Sequence, residues 1–140
     1  MAEHTGKNCI FCKIVADELP HERVAASDDL YAFLDVNPIS RGHTLVIPRD
    51  HFQSFESTPV KIVREMAAFV ADYAPKIAQA LGADGFNIGI NNGAAAGQVI
   101  GHAHWHIIPR YQGDGLRSWP GNSIEKEDLN SVAEQIRKRI

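Results

Sequence analysis

The most informative segment of the sequence is Gly101-His-Ala-His-Trp-His-Ile-Ile-Pro-Arg110. Histidine alternates there with small or β-forming residues, which predicts a strand over about 102–109. On a strand the three histidines would share one face, and the residues between them would face the core. The first and third would lie roughly 13 Å apart at their roots, too far to converge easily on one metal. Since imidazole can act as nucleophile, acid or base, the row predicts a catalytic site rather than a solvated polar face.

A loop of small residues leads directly into this strand. It reads Asn92-Gly-Ala-Ala-Ala-Gly-Gln-Val-Ile-Gly101. Glycine and alanine let backbone approach a ligand closely, and consecutive N–H groups in such a bend can hold an anion. Small-residue loops are common, but this one leads directly into a strand of histidines. A phosphate site next to imidazoles is suited to phosphoryl or nucleotidyl transfer.

The remaining segments predict an α+β fold with an antiparallel sheet, because strands precede and follow one long helix. Thr58 is expected to cap that helix, Pro59 to begin it and Gly82 to end it, while Pro75 should kink or break it. Residues 1–8 are polar and expected to fray. Further strands are expected at about 23–27, 30–36, 43–48 and 86–91, and further helices at 9–18 and about 125–138.

Length and composition place the chain among ordinary globular domains. Its 140 residues suit one domain, with 44% hydrophobic and 22% charged residues and a net charge of −3. No basic excess predicts a nucleic-acid partner. The chain contains no apolar run long enough to span a membrane and no apolar signal core, so we expect a cytoplasmic protein without a membrane partner.

The two cysteines, Cys9 and Cys12, stand at Cys-x2-Cys spacing. In a reducing compartment this spacing indicates metal or redox chemistry rather than a structural disulfide. It supplies half of a four-coordinate zinc site. The alternatives are a redox pair or two small buried residues.

The chain resembles the histidine-triad (HIT) family, and within it the histidine-triad nucleotide-binding proteins, over nearly its whole length. That resemblance implies a HIT-like fold with a five-stranded antiparallel sheet, a long central helix and a C-terminal helix. It also implies a homodimer in which two sheets join and each subunit holds one purine nucleotide. The matching segments are 9–14, 33–38, 42–48, 91–93, 97–98 and the triad at 102–108.

The resemblance also implies the chemistry. His104 would attack the α-phosphorus of a purine nucleoside phosphoramidate or related nucleotide, and water would hydrolyse the nucleotidyl-histidine. No cofactor is required for this chemistry. His106 would contact the phosphate or donate a proton, and His43 would lie near the same centre. A carbonyl near Gly97 is expected to accept the proton on the other nitrogen of His104.

The same resemblance implies a set of nucleotide contacts. A carboxylate would take the ribose hydroxyls, and without the resemblance Asp35 would be interpreted as a strand-end acid. Backbone N–H groups would hold the non-bridging oxygens. The implied residues are Asp35 for the sugar, Asn91 for the sugar or phosphate, Gly97, Gln98 and Val99 for the phosphate, and Ile10, Phe11 and Phe33 around the base.

Metal binding is implied by resemblance to microbial members of the family. His51 and His102 would join Cys9 and Cys12 around a structural zinc, since all four ligands would come from the protein. Two departures concern the phosphate loop. Val99 stands where relatives often carry Ser or Thr, and Gly101 where many carry a bulkier residue.

Three other functions stay open from the sequence. A dinucleoside polyphosphate hydrolase would use the same site on a different leaving group. A nucleotide-binding adaptor would need little catalysis. A metal hydrolase would use the histidine row as its ligands, although the spacing of the outer histidines disfavours it. The leaving group and the choice between adenine and guanine are not distinguished.

Overall fold

The computed structural model describes Gly6 and residues 8–116 and 128–140. Most of the segment expected to fray, and residues 125–127 of the predicted last helix, lie outside these ranges. In chain order the elements are α1 (Ile10–Val15), β1 (Arg23–Ala26), β2 (Leu30–Leu34), β3 (Thr44–Pro48), α2 (Val60–Leu81), β4 (Gly85–Gly89), a 3-10 turn (Ala94–Ala96), β5 (Trp105–Arg110) and α3 (Leu129–Arg137).

The five strands form one sheet in the order β1-β2-β3-β5-β4, and every neighbouring pair is antiparallel. This confirms the predicted fold class. The connection from β3 to β4 contains α2, and it leaves space between these two strands in the sheet. The last strand, β5, occupies that space and pairs with both. The histidine strand therefore lies inside the sheet, beside the strand that follows His43.

Both faces of the central strands are covered, which explains their continuous apolar sequences. On one face Leu30 and Val46 pack with Met66 and Phe69 of α2. On the other face the alternate residues of β2 and β3 pack against Phe11 and Ile14 of α1. The second face is important for function, because α1 brings its side chains next to the ends of β2 and β5.

The histidine strand begins later than predicted. His102 and His104 precede β5, which starts at Trp105. The reason is a change of pairing partner: the Ala103 N–H donates to the Phe52 carbonyl at 2.7 Å, and β5 pairs with β3 only from Trp105 onward. The imidazoles of His102 and His104 still both contact Phe11, with ring centroids 5.9 and 5.2 Å from it.

The long helix differs from prediction at two points. It is continuous through Pro75. Pro75 and Ala71, four residues earlier, both lie on the exposed face, where water can satisfy the freed carbonyl. The N-cap is Pro59 rather than Thr58, because the Thr58 hydroxyl donates to the Ser54 carbonyl at 2.7 Å. Among the described helices, none is long and apolar enough to cross a membrane.

Candidate active site and metal centre

A pocket of about 410 Å³ opens where α1, the end of β2, the small-residue loop and the start of β5 meet. It has an apolar part lined by Ile10, Phe11 and Phe33 and a polar part lined by His104 and His106. Every residue predicted for catalysis or nucleotide binding lines this pocket except His43 and Gln98. The sequence therefore located the cavity, whereas the role of each side chain depends on its hydrogen bonds.

The tautomer of His104 follows from a single hydrogen bond. Its Nδ1 lies 2.7 Å from the His102 carbonyl oxygen. Since a carbonyl only accepts, Nδ1 carries the proton and Nε2 of the neutral ring holds the lone pair. The accepting carbonyl is that of His102 rather than the predicted one near Gly97. The bond fixes the orientation of a ring that lines the pocket and leaves its Nε2 lone pair free of this contact.

His43 and His106 form a directed hydrogen-bond chain. The Ile39 N–H donates to His43 Nδ1 at 3.0 Å, so the proton of neutral His43 is on Nε2. His43 Nε2 lies 2.9 Å from His106 Nδ1 and donates to it. The proton of His106 is therefore on Nε2, a buried atom without a partner in the described part of the chain. This hydrogen-bond chain therefore ends at the Nε2–H group of His106, which is available to a ligand.

Burial keeps this pair neutral. The pKa of His106 is lowered to about 4, mainly by burial and also by the neighbouring His104 and His43. Burial also lowers the pKa of His43, although the nearby Asp35 carboxylate raises it. At neutral pH His43 and His106 are thus hydrogen-bonded neutral imidazoles, as their tautomers above require.

Asp35 directly follows β2, and its two carboxylate oxygens lie near two different groups. One carboxylate oxygen accepts the Asn37 N–H at 2.8 Å, as in an Asx turn. The other lies 3.7 Å from His43 Nε2. The side chain also lines the pocket, so a carboxylate is present next to the histidine chain and within reach of a bound ligand.

The small-residue loop is held from within by Gln98. Its side chain accepts the Gly93 N–H at 2.9 Å and donates to the carbonyls of Gln53 and Ile100 at 2.8 and 2.9 Å. Its own N–H donates to the Gly93 carbonyl at 3.1 Å. That N–H is therefore not free for the predicted contact with phosphate, and Gln98 instead braces the loop. Gly97 has φ +96°, a conformation that favours glycine.

Sequence reasoning overlooked one aromatic residue of the pocket. His21, which follows Pro20 just before β1, lines the cavity and lies 6.3 Å from Phe33 between ring centroids. A single histidine after a proline belongs to no periodic pattern, so the sequence carries no signal for it. Only the return of this segment alongside β2 brings it to the pocket.

A second cluster lies on the other side of Phe11. The ligand atoms of Cys9, Cys12, His51 and His102 all lie within 4.8 Å of one another. Cys9 Sγ is 3.4 Å from His102 Nδ1, and Cys12 Sγ is 3.4 Å from His51 Nδ1. The four residues predicted as metal ligands are thus brought together and could hold a metal ion.

The geometry of the cluster fits tetrahedral zinc. With Zn–S near 2.3 Å and Zn–N near 2.05 Å, a sulfur–nitrogen edge of the tetrahedron is about 3.6 Å, close to the observed separations. His102 Nε2 lies 2.9 Å from the Pro48 carbonyl, so it carries the proton and Nδ1 presents its lone pair to the sulfurs. Burial raises the pKa of the Cys12 thiol to about 11, so a thiolate there needs a cation beside it.

Asp35, His43 and His106 form another group of possible ligands. His43 Nε2 and His106 Nδ1 are already hydrogen-bonded to each other, and His104 belongs to neither cluster. The arrangement therefore gives no support to a metal ion that bridges the triad.

The chain belongs to the HIT family, whose HIT domain model matches residues 16–113. It is 43% identical over 122 residues to adenylylsulfatase HINT3 of Arabidopsis thaliana, covering 87% of this chain but only 61% of that relative's length. It is 36% identical over 135 residues to adenosine 5′-monophosphoramidase hnt1 of Schizosaccharomyces pombe, covering 95% of this chain and 98% of the relative.

Solved structures agree with the fold. A HIT family protein from Bacillus subtilis matches with a TM-score of 0.84 and 36% identity, over 96% of this chain and 98% of that one. A Zn-bound histidine triad protein from Mycobacterium smegmatis matches with a TM-score of 0.75 and 36% identity, over 95% and 98%. These likenesses confirm the predicted family and architecture.

Proposed function

We propose that this protein hydrolyses or transfers purine nucleotides at the α-phosphate, with nucleoside phosphoramidates as the preferred class and a nucleotidyl-His104 intermediate. The observation that carries the proposal is the pair of fixed tautomers. His104 presents a lone pair at Nε2, and His106 presents an unpartnered N–H, with ring centroids 5.1 Å apart. A nucleophile and a donor side by side are what displacement at phosphorus requires.

In the first step a bond forms between His104 Nε2 and phosphorus, and the phosphorus–nitrogen bond of the phosphoramidate breaks. The leaving nitrogen takes a proton from a water molecule and departs as an amine, while the Nε2–H of His106 donates a hydrogen bond to the leaving group. The Asp35 carboxylate near His43 disfavours loss of a proton from that imidazole. In the second step the hydroxide left by that water attacks phosphorus, breaks the bond to His104 Nε2 and releases the nucleoside monophosphate.

The relatives support a nucleotide substrate. One is named for a monophosphoramidase and another for an adenylylsulfatase activity, and both activities cleave a bond at an adenylyl phosphorus. The apolar part of the pocket, with Phe11 and Phe33 in edge-to-face contact at 5.4 Å, suits a flat base.

A substrate panel tests the proposal. Adenosine and guanosine phosphoramidates should be hydrolysed with kcat/KM at least about tenfold above that for diadenosine polyphosphates, because an amine leaves readily once His106 donates to it. Steady-state assays of the wild-type chain on both sets give the ratio. A reversed ratio would favour the dinucleoside polyphosphate hydrolase, and turnover of neither set would favour the adaptor.

Asp35 is expected to bind the ribose. A charged acceptor paired with a hydroxyl is worth about 1.5–3 kcal/mol, so Asp35→Ala should weaken binding of a ribonucleotide about tenfold or more. The matched 2′-deoxynucleotide should bind weakly to the wild type and lose little more in the variant. Calorimetric titration of both ligands into both proteins completes the cycle. Equal losses for the two ligands would make Asp35 a structural acid.

We also infer a homodimer joined along β4. This strand is at one end of the sheet, and its Phe86 and Ile88 are 37% and 48% exposed. An unpaired strand edge with apolar side chains is suited to pairing with a second copy.

We infer that the cysteine–histidine cluster holds a structural zinc. Four protein ligands leave no open position for a substrate. The support is the tetrahedral spacing of the ligands and the Zn-bound relative. Zinc there would fix α1, and with it the apolar wall, without taking part in the chemistry.

A further inference from the structure

We propose that His21 is a specificity-determining residue that contacts the nucleobase. The proposal rests on the proposed function, because it takes the pocket to be a nucleotide site. His21 lines that pocket but belongs neither to the triad nor to the cysteine–histidine cluster. It would select ligands with an aromatic base over ligands without one.

The position of His21 follows from a series of ring contacts along the pocket wall. His104 lies 5.2 Å from Phe11, Phe11 lies 5.4 Å from Phe33, and Phe33 lies 6.3 Å from His21, between ring centroids. The reacting phosphate must lie beside His104. His21 is three ring contacts further along the wall, so it lies at the end that the base would occupy.

Both nitrogens of His21 are already engaged. Nδ1 lies 2.8 Å from the Leu19 carbonyl and must donate to it, which leaves Nε2 to accept the Tyr31 hydroxyl at 2.6 Å. The ring therefore offers the pocket its carbon surface and not a hydrogen-bonding atom. We expect it to favour any aromatic base and not to distinguish adenine from guanine.

The same hydrogen bonds fix the ring before a ligand arrives. Tyr31 is only 8% exposed, and the Arg49 guanidinium lies 5.3 Å from its ring centroid. His21 stands nearly perpendicular to Phe33, at 79°. A base that binds beside His21 and Phe33 would contact two rings whose orientation is already fixed. Fixed rings reduce the entropy cost of binding.

The test is equilibrium binding, which does not depend on turnover. Adenosine 5′-monophosphate, guanosine 5′-monophosphate and ribose 5-phosphate are titrated calorimetrically into wild type, His21→Ala and Tyr31→Phe. His21→Ala should weaken both nucleotides about fivefold to tenfold and leave ribose 5-phosphate within about twofold. Tyr31→Phe keeps the ring but releases its orientation, so it should weaken the nucleotides by about twofold to threefold.

Three results would overturn the inference. These are equal weakening of all three ligands by His21→Ala, no weakening of the nucleotides, and a wild type that binds nucleotides no better than ribose 5-phosphate. Should His21→Ala fail to fold, Tyr31→Phe with the same ligands decides between these outcomes. Base-selective binding without hydrolysis of any phosphoramidate would contradict the proposed function and leave the role of His21 intact.

Discussion

Replacing His104 with alanine should reduce kcat by about 10³-fold or more, the scale seen when a catalytic nucleophile is removed. Nucleotide affinity should change by no more than about threefold, because the apolar wall and Asp35 remain. The physical reason is the fixed tautomer: no other described imidazole in the pocket has a lone pair free, since the Nδ1 of His106 accepts from His43. Steady-state kinetics and calorimetry on the same preparations measure the two effects.

A trapping experiment separates covalent from direct hydrolysis. Rapid quenching of a single turnover of phosphorus-labelled substrate should leave an acid-labile adduct on the wild-type chain and none on His104→Ala. His106→Ala is the matched control, because it removes the N–H donor but keeps the nucleophile and should form the adduct more slowly. Turnover of His104→Ala equal to that of the wild type would contradict covalent catalysis at this residue.

The strands of the sheet could be predicted because each has a local sequence pattern typical of a β-strand. Alternation, apolar runs and turn residues located all five strands to within three residues at each end. The error at the histidine strand has a physical cause. His102 and His104 satisfy the pattern of a strand, but the backbone between them bonds to the segment after β3. Such a change of partner depends on tertiary packing, which a periodic pattern does not encode.

The site could be predicted as a set of residues but not as a set of proton positions. The tautomers depend on the carbonyls of His102 and Pro48 and on the N–H of Ile39, which are backbone groups that any sequence would supply. For the same reason the sequence predicts a phosphate contact for the Gln98 N–H, whereas that N–H and the side chain hold the loop together. A sequence shows which side chains can do chemistry. It does not show which backbone N–H and C=O groups those side chains will bond to.

If the cysteine–histidine cluster holds zinc as proposed, loss of the metal should destabilise the fold by a few kcal/mol, the scale expected for a structural metal. Cys9→Ser and His51→Ala should each lower the free energy of unfolding by about 2–5 kcal/mol, because each leaves a buried cluster with an incomplete set of ligands. Denaturant unfolding measures the loss. The folded fraction of each variant should still hydrolyse substrate, since neither residue takes part in the proposed chemistry.

A control must show that the loss of unfolding free energy comes from losing the metal and not only from changing the side chain. Chelator-treated wild type and chelator-treated Cys9→Ser should therefore unfold at similar denaturant concentrations, and added zinc should restore only the wild type. Elemental analysis of protein purified without a tag should find about one zinc per chain. Cys9 caps α1 and Cys12 lies within it, and both come close to His51 and His102, so the ion would connect three separate segments. A metal content well below one per chain, or an equal stability difference with and without zinc, would mean that the four residues are only packed together.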